Sequence, residues 1–381
     1  MRFGSIGVVL AALALTACAT TPPPAPTRPS PAAPRPTPPK PQPPVREIPL
    51  STLPGWPAED HAGAFAVFQS TCGVARDPAM AAVCRRARAL PFLERADARA
   101  FFEANFRAEP LGAPGLLTAY FAPEYQARSV PDAEFSAPVR AKPSDLTVVD
   151  AGTFDPAQAG RPGAARMVAG KLAPYPDRGD IEAQPPETVL AWMRPEELFF
   201  LQIQGSGVLT FEGGRRMKAL FAATNGRPFV GIANPMRDKG LLAANNTSGD
   251  AIRAWLAAHR GAEAQGVMRL NPRYVFFRLA PDDGLPPVGA AGIPLPGGRA
   301  IAVDLTRHAV GELFWLDGES PTLAGAFPVY RRLAMALDTG GAIKGDVRAD
   351  LYLGQGPAAG VEAGRVRHTL SMARLVPRVG P

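Results

Sequence analysis

The stretch Asp338-Thr339-Gly340-Gly341-Ala342-Ile343-Lys344-Gly345, followed by Ala349-Asp350-Leu351-Tyr352-Leu353-Gly354, sets two carboxylates among glycines and strand-forming residues. A plain hydrophobic core has little use for that pattern. Similar short apolar runs stand upstream at 274–277, 300–303 and 313–316. Many short strands separated by glycine turns favour a small closed barrel over an open α/β sheet. No GxGxxG enters a helix and no P-loop is present, so nucleotide binding has little support.

Three aspartates flank these strands: Asp304 after Ala-Val, Asp338 after Ala-Leu and Asp350 before Leu-Tyr-Leu. A carboxylate at a strand end can be aimed into a cleft. Burial and neighbouring negative charge there raise its pKa, so a protonated aspartate can donate to a glycosidic oxygen. Lys344 is placed to orient or neutralise one carboxylate. Any one aspartate beside glycines can equally be a turn residue.

Upstream, the chain divides by texture. Residues 58–106 carry helical periodicity, with apolar recurrence at Leu90, Leu93, Phe101, Phe102 and Phe106, and Pro91 reads as a first-turn residue. Residues 115–121 read as a strand continued at 124–128. From 128 to 280 the texture suggests a mostly β region. Within it, 197–204 has strand-like chemistry, followed by a tight turn at Gly205-Ser206-Gly207. Residues 251–259 form an amphipathic helix candidate behind the capping residues Ser248-Gly249-Asp250.

The N-terminus reads as an address. One arginine, Arg2, precedes an apolar run from Ile6 to Leu15, then Leu15-Thr16-Ala17-Cys18. The run is short for a transmembrane helix and fits an export signal. Leu-Thr-Ala-Cys resembles a bacterial lipobox with Cys18 lipidated, the alternative being an ordinary cleaved signal. Ala19 in place of aspartate favours the outer membrane. Residues 20–45 are dominated by proline, which implies an extended semi-rigid spacer.

Cys72 and Cys84 remain, either paired across a short loop or as two buried free thiols. The four histidines, His61, His259, His308 and His368, are scattered, so no metal site is expected. His308 reads as a surface or loop residue rather than a general base. The net charge of +7 suits an anionic polymer or phospholipid surface. Basic residues form no dense tract with interleaved aromatics, which argues against nucleic acid.

Several segments, taken in order, resemble the membrane-bound lytic murein transglycosylase A family, whose C-terminal 3D domain is named for three aspartates. They are Leu117-Thr118-Ala119-Tyr120-Phe121-Ala122-Pro123, Gln202-Ile203-Gln204-Gly205-Ser206-Gly207, Asn271-Pro272-Arg273-Tyr274-Val275-Phe276-Phe277, Ile293-Pro294-Leu295, 336–345 and 354–360. The 304–316 segment lacks a proline expected in the turn before the second strand, pointing to altered loop geometry around Arg307-His308.

The resemblance implies a mainly β fold: a double-psi β-barrel, split in sequence by an inserted second β domain, with helical N-terminal segments. Its boundaries here fall at 1–17 (signal peptide), 18–49 (lipidated Cys18 and spacer), 50–127 (first part of the barrel domain with helices), 128–280 (insert) and 281–381 (second part of the barrel). It implies non-hydrolytic cleavage of the MurNAc–GlcNAc β-1,4 bond, leaving 1,6-anhydroMurNAc ends, without a cofactor. Asp350 takes the position of the general acid/base, with Asp338 and Asp304 in support. Thr118, Tyr120, Gln204, Gly205, Ser206 and Lys344 fall in regions that contact glycan. Implied partners are peptidoglycan strands, the periplasmic face of the outer membrane through the lipid anchor, and cell-wall synthesis or division proteins. Two other readings use the same residues: an inverting hydrolase with Asp338 as second carboxylate, and a murein-binding lipoprotein without chemistry.

Overall fold

The computed structural model describes residues 47–378, apart from 244 and 321–326. The predicted signal peptide at 1–17, the lipidation site Cys18 and the spacer up to residue 46 lie outside the described residues.

Three helices open the folded body: α1 (His61–Thr71), α2 (Pro78–Arg88) and α3 (Arg95–Asn105). Asp60 and Asp77 cap α1 and α2, accepting from Gly63 N and Met80 N. Pro91 does not open a helix. It lies in the connection ahead of α3, while Pro78 occupies the first turn of α2. A disulfide joins Cys72 to Cys84 and so ties the end of α1 to α2. Trp56, Phe65, Phe68, Phe102 and Phe106 form a fully buried aromatic cluster beneath these helices. Trp56 meets Trp315 edge-on with ring centroids 5.3 Å apart.

Strand β1 (Phe106–Ala122) follows α3 directly. The chain then builds β2 (Glu124–Gln126), β3 (Ala137–Arg140), β4 (Thr147–Asp150), β5 (Pro162–Val168), β6 (Lys171–Pro174), α4 (Arg178–Ala183) and β7 (Val189–Met193). After these come α5 (Pro195–Gln204), β8 (Gly207–Thr210), β9 (Arg216–Thr224), α6 (Ala233–Asp238), α7 (Gly249–Ala258), α8 (Ala262–Met268) and β10 (Val275–Pro281). Last are β11 (Ala300–Ala302), β12 (Leu313–Glu319), β13 (Val329–Asp338), β14 (Arg348–Gln355), α9 (Gly356–Ala363) and β15 (Arg367–Pro377).

The expected closed barrel is present, in the order β1-β14-β11-β13-β12-β15. Its strands come from both ends of the folded body, with β1 pairing parallel to β14 and antiparallel to β15. Leu117, Ile301, Phe314, Ala336, Leu351 and Leu370, one from each strand, share a single core. Because side chains alternate along a strand, Thr118 and Asp350 project to the opposite face. A buried ion pair fastens the N-terminal segment to the barrel: Arg299 Nη2 donates to Glu59 Oε1 at 2.9 Å, and Leu333 N to Glu59 Oε2 at 2.7 Å.

Between β1 and β11 the chain forms separate sheets, β10-β9-β8-β2, β3-β7 and β4-β5-β6. Because β2 already pairs with β8, the chain leaves the barrel at Pro123, ahead of residue 128. The expectation of a mostly β region here is corrected: α4 to α8 stand among the strands. The largest misreading is 197–204, which is helix α5. Pro195 opens it and Glu196 and Glu197 occupy its first turn, both good N-terminal residues. Leu198 and Leu201 enter one apolar core and Phe199 another, so the helix is apolar on two sides and its sequence imitates a buried strand. The helix at 251–259 is found as α7, with Ser248 Oγ accepting from Ala251 N.

Candidate active site

The site is built on strand register. Thr118 of β1 faces Asp350 of β14, Asp350 faces Ala302 of β11, and Ala302 faces Asp338 at the end of β13. Asp350 and Asp338 are therefore two strands apart, about 9–10 Å at the backbone. Both are half-buried.

Thr118 Oγ1 donates a short hydrogen bond to Asp350 Oδ1. Arg348 Nη2 donates to that same Oγ1 at 2.8 Å, which leaves the hydroxyl proton directed at the carboxylate. Burial pushes the Asp350 carboxyl above its ordinary range. The Thr118 bond and the Arg348 charge oppose the rise, and the Asp338 charge adds to it. A carboxyl so placed keeps its proton at higher pH than a surface aspartate does.

Asp338 is held on both oxygens. Tyr120 Oη donates to Oδ2 at 2.7 Å and Ala290 N to Oδ1 at 2.9 Å. Burial raises its pKa too, against the pull of those donors. Gly289 makes the Ala290 contact feasible: a Cβ there would stand 2.7 Å from Leu337 O and 3.2 Å from Asp338 Cγ. Tyr120 also packs on Tyr352, ring centroids 5.3 Å apart.

Asp304 is buried and serves the loop between β13 and β14. It accepts from Thr306 N and Oγ1 at 3.1 and 2.8 Å and from Gly345 N at 3.0 Å. Burial alone would raise its pKa, but these bonds and the Lys344 charge outweigh it and hold the carboxyl low. Lys344 Nζ lies 3.7 Å from Asp304 Oδ1, so this cation is engaged by Asp304. His308 is not on the surface: it is buried in the loop after Asp304, with Nε2 2.8 Å from Asp346 O.

The glycan-contact candidates at 204–206 come from the segment between β1 and β11. Gln204 is the last residue of α5 and Gly205 ends that helix at φ 86°. Gln204 Oε1 accepts from Phe121 N at 3.3 Å, which brings this corner to the residue after Tyr120. Thr118 with Asp350 and Tyr120 with Asp338 thus form two hydrogen-bonded pairs on the barrel, Gln204 approaches them, and Asp304 with Lys344 braces the loop between the two acids. Among the described residues, no three His, Cys, Asp or Glu side chains gather into a metal-binding group.

Sequence reasoning missed Arg348 and Ala290. Arg348 stands two residues before Asp350 on one strand, so period-two alternation was a usable signal that both share a face. Ala290 acts through its backbone N–H and leaves no trace in residue type.

Comparison with known proteins agrees with this architecture. The family model described as "MltA specific insert domain" matches residues 116–278, and the "3D domain" model matches residues 299–376. The membrane-bound lytic murein transglycosylase A of Vibrio cholerae is 30% identical over 259 residues, 66% of this chain. The matched stretch spans 63% of that curated relative's length. The crystal structure of a membrane-bound lytic murein transglycosylase from Agrobacterium tumefaciens is 31% identical, with a TM-score of 0.75 over 87% of this chain and 97% of that one. Escherichia coli MltA with bound chitohexaose aligns at a TM-score of 0.63 and 26% identity, over 85% of this chain and 91% of that one. The chain belongs to the membrane-bound lytic murein transglycosylase A family, with a C-terminal 3D domain.

Proposed function

We propose that this chain is a lytic transglycosylase that cleaves the MurNAc–GlcNAc β-1,4 bond of peptidoglycan and leaves 1,6-anhydroMurNAc ends. The observation that carries this reading is the half-buried Asp350, its pKa raised by burial and its orientation fixed by Thr118. Asp350 gives its proton to the bridging oxygen as the C1–O bond breaks. The MurNAc C6 hydroxyl then attacks C1, and its proton passes to the Asp350 carboxylate, which restores the acid. No water is consumed, and the intramolecular nucleophile has the advantage of proximity.

Asp338 supports the developing positive charge, and Asp304 and Lys344 hold the loop between the acids. Thr118, Tyr120, Gln204, Gly205 and Ser206 line the glycan path. The chitohexaose held by the Escherichia coli relative supports a β-1,4-linked amino-sugar polymer as ligand. An inverting hydrolase needs its second carboxylate free to activate water. Asp338 instead accepts a hydrogen bond on each oxygen, from Tyr120 and Ala290, which makes it a weaker base toward water.

The barrel's two parallel pairings, β1 with β14 and β11 with β13, support the double-psi form. The sheets between β1 and β11 support an inserted domain in the split barrel. Cys18 and the proline spacer support a lipid-anchored protein on the periplasmic face of the outer membrane, within reach of murein and its synthesis or division machinery.

Mass analysis of murein digested in H2¹⁸O tests the chemistry. Anhydro ends without ¹⁸O are expected, and reducing MurNAc carrying solvent oxygen would defeat the reading. Asp350→Asn should retain fold and glycan binding while losing turnover. Asp338→Asn should also lose activity, with circular dichroism unchanged.

A further inference from the structure

Arg273 is a charged side chain that the described fold leaves unanswered. It follows Asn271-Pro272 and precedes β10, and its backbone is tightly fixed. Asn271 Oδ1 accepts from Arg273 N at 3.3 Å and from Val230 N at 3.1 Å. The buried Arg178 donates through Nη2 to Arg273 O at 2.7 Å and through Nε to Asn271 O at 3.0 Å. Asn225 Nδ2 adds a bond to Pro272 O at 2.9 Å.

From this anchored turn the half-buried guanidinium reaches the loop between the two acids. The guanidinium lies against the bare Cα of Gly341, where a Cβ would stand closer to Arg273 Nη1 than van der Waals contact. Burial pushes the Arg273 pKa down, and no carboxylate offsets it. Other sheltered arginines find acceptors: Arg194 pairs with Glu134, Arg260 with Glu196 and Arg299 with Glu59. Among the described residues, nothing accepts from the Arg273 guanidinium. A partly desolvated, uncompensated charge is costly and favours an anion from outside.

We propose that Arg273 is a specificity residue that receives a carboxylate carried by the muramic acid units of the glycan strand. This rests on the murein reading above. A planar guanidinium matches a carboxylate fork-to-fork, and its contact with Gly341, three residues beyond Asp338, brings it to the loop that joins the two acids. Two sources offer this chemistry: the lactyl carboxylate of stem-free strands and the carboxylates of the stem peptide. Chitin-type strands offer neither.

The test compares the parent with Arg273→Gln on stem-bearing strands, on stem-free strands, and on each after its carboxylates are amidated. Pull-down gives affinity and product release gives KM. Loss of affinity by about tenfold or more is expected on carboxylate strands, with less than about a twofold effect on amidated ones. Loss confined to stem-free strands assigns the lactyl group; loss confined to stem-bearing strands assigns the peptide; loss on both supports either anion. Equal losses before and after amidation, or none on carboxylate strands, would overturn the proposal. If the parent binds strands but makes no anhydro product, the functional reading fails while the pull-down still judges Arg273.

Discussion

Thr118→Val removes one proton donor from Asp350 and leaves the side-chain volume nearly unchanged. The bond is fixed by the parallel register that sets Thr118 opposite Asp350. Thr118 donates best to the ionised carboxylate, so its loss destabilises the charged form and raises the Asp350 pKa further. A hydrogen bond to a charged group contributes about 1.5–3 kcal/mol. At about 1.4 kcal/mol per unit, that corresponds to a rise of roughly 1–2 units. Arg348, released from Thr118, becomes free to turn its charge more directly toward Asp350, which would offset part of the rise. The expected shift is therefore near the lower end, about one unit.

The assay is kcat/KM against pH on soluble glycan strands, read by release of anhydro ends. The first step needs protonated Asp350, so activity falls as pH rises through its pKa. In Thr118→Val this alkaline limb should move up by about one unit, whatever happens to the plateau. Thr118→Ser keeps the hydroxyl and should keep the parent limb. A valine variant whose limb stays in place or moves down would show that Thr118 does not set the acid.

Three further outcomes are expected. Tyr120→Phe frees one oxygen of Asp338 and should lower kcat by about tenfold to a hundredfold. Combined with Asp338→Asn it should add little, and additive losses would show that Tyr120 acts elsewhere. Asp350→Asn should be more stable than the parent at about pH 7 and equal to it at about pH 3. A buried acid with a raised pKa costs nothing while both states are protonated, and its penalty grows above the unfolded value; urea titrations at the two pH values measure this. Reduction of Cys72–Cys84, 12 residues apart, should remove roughly 3 kcal/mol of stability. Urea midpoints with and without reductant would show it, and an unchanged midpoint would count against the bridge.

The barrel and its acids were legible because each rests on local pattern. Short strands between glycines announce turns, and aspartates at their ends stand out against apolar neighbours. Helix α7 was legible for the same reason, since Ser248 and the spacing of Ile252 and Leu256 are local. Helix α5 was not, because packing between two cores filled both of its faces with apolar side chains. The partnership of Thr118 with Asp350 was not legible, since the resemblance offered Thr118 only as a glycan contact. The two stand 232 residues apart, and no local rule specifies a parallel register across such a distance. Ala290 was invisible because its contribution is a backbone N–H, permitted by the bare Cα of Gly289.

The distribution of these groups separates two tasks. Thr118, Tyr120, Asp338, Arg348 and Asp350 lie on barrel strands joined by continuous hydrogen-bonded register, which fixes donors and acids relative to one another. The segment from β2 to β10 approaches that assembly through the side chains of Gln204 at Phe121 and Arg273 at Gly341, and Ala290, between β10 and β11, adds a backbone N–H to Asp338. Among the described residues of that segment, none touches the Asp350 carboxylate. On the transglycosylase reading proposed above, a shift of this segment would move glycan contacts without making or breaking a bond to the Asp350 carboxylate. Acid–base chemistry is set by strand pairing, whereas choice of substrate is left to residues such as Arg273 that can vary without disturbing it. The same division explains how a mixed α/β segment can interrupt a barrel between two of its strands. So long as β11 to β14 complete the barrel against β1, the segment from β2 to β10 need only return the chain toward β11.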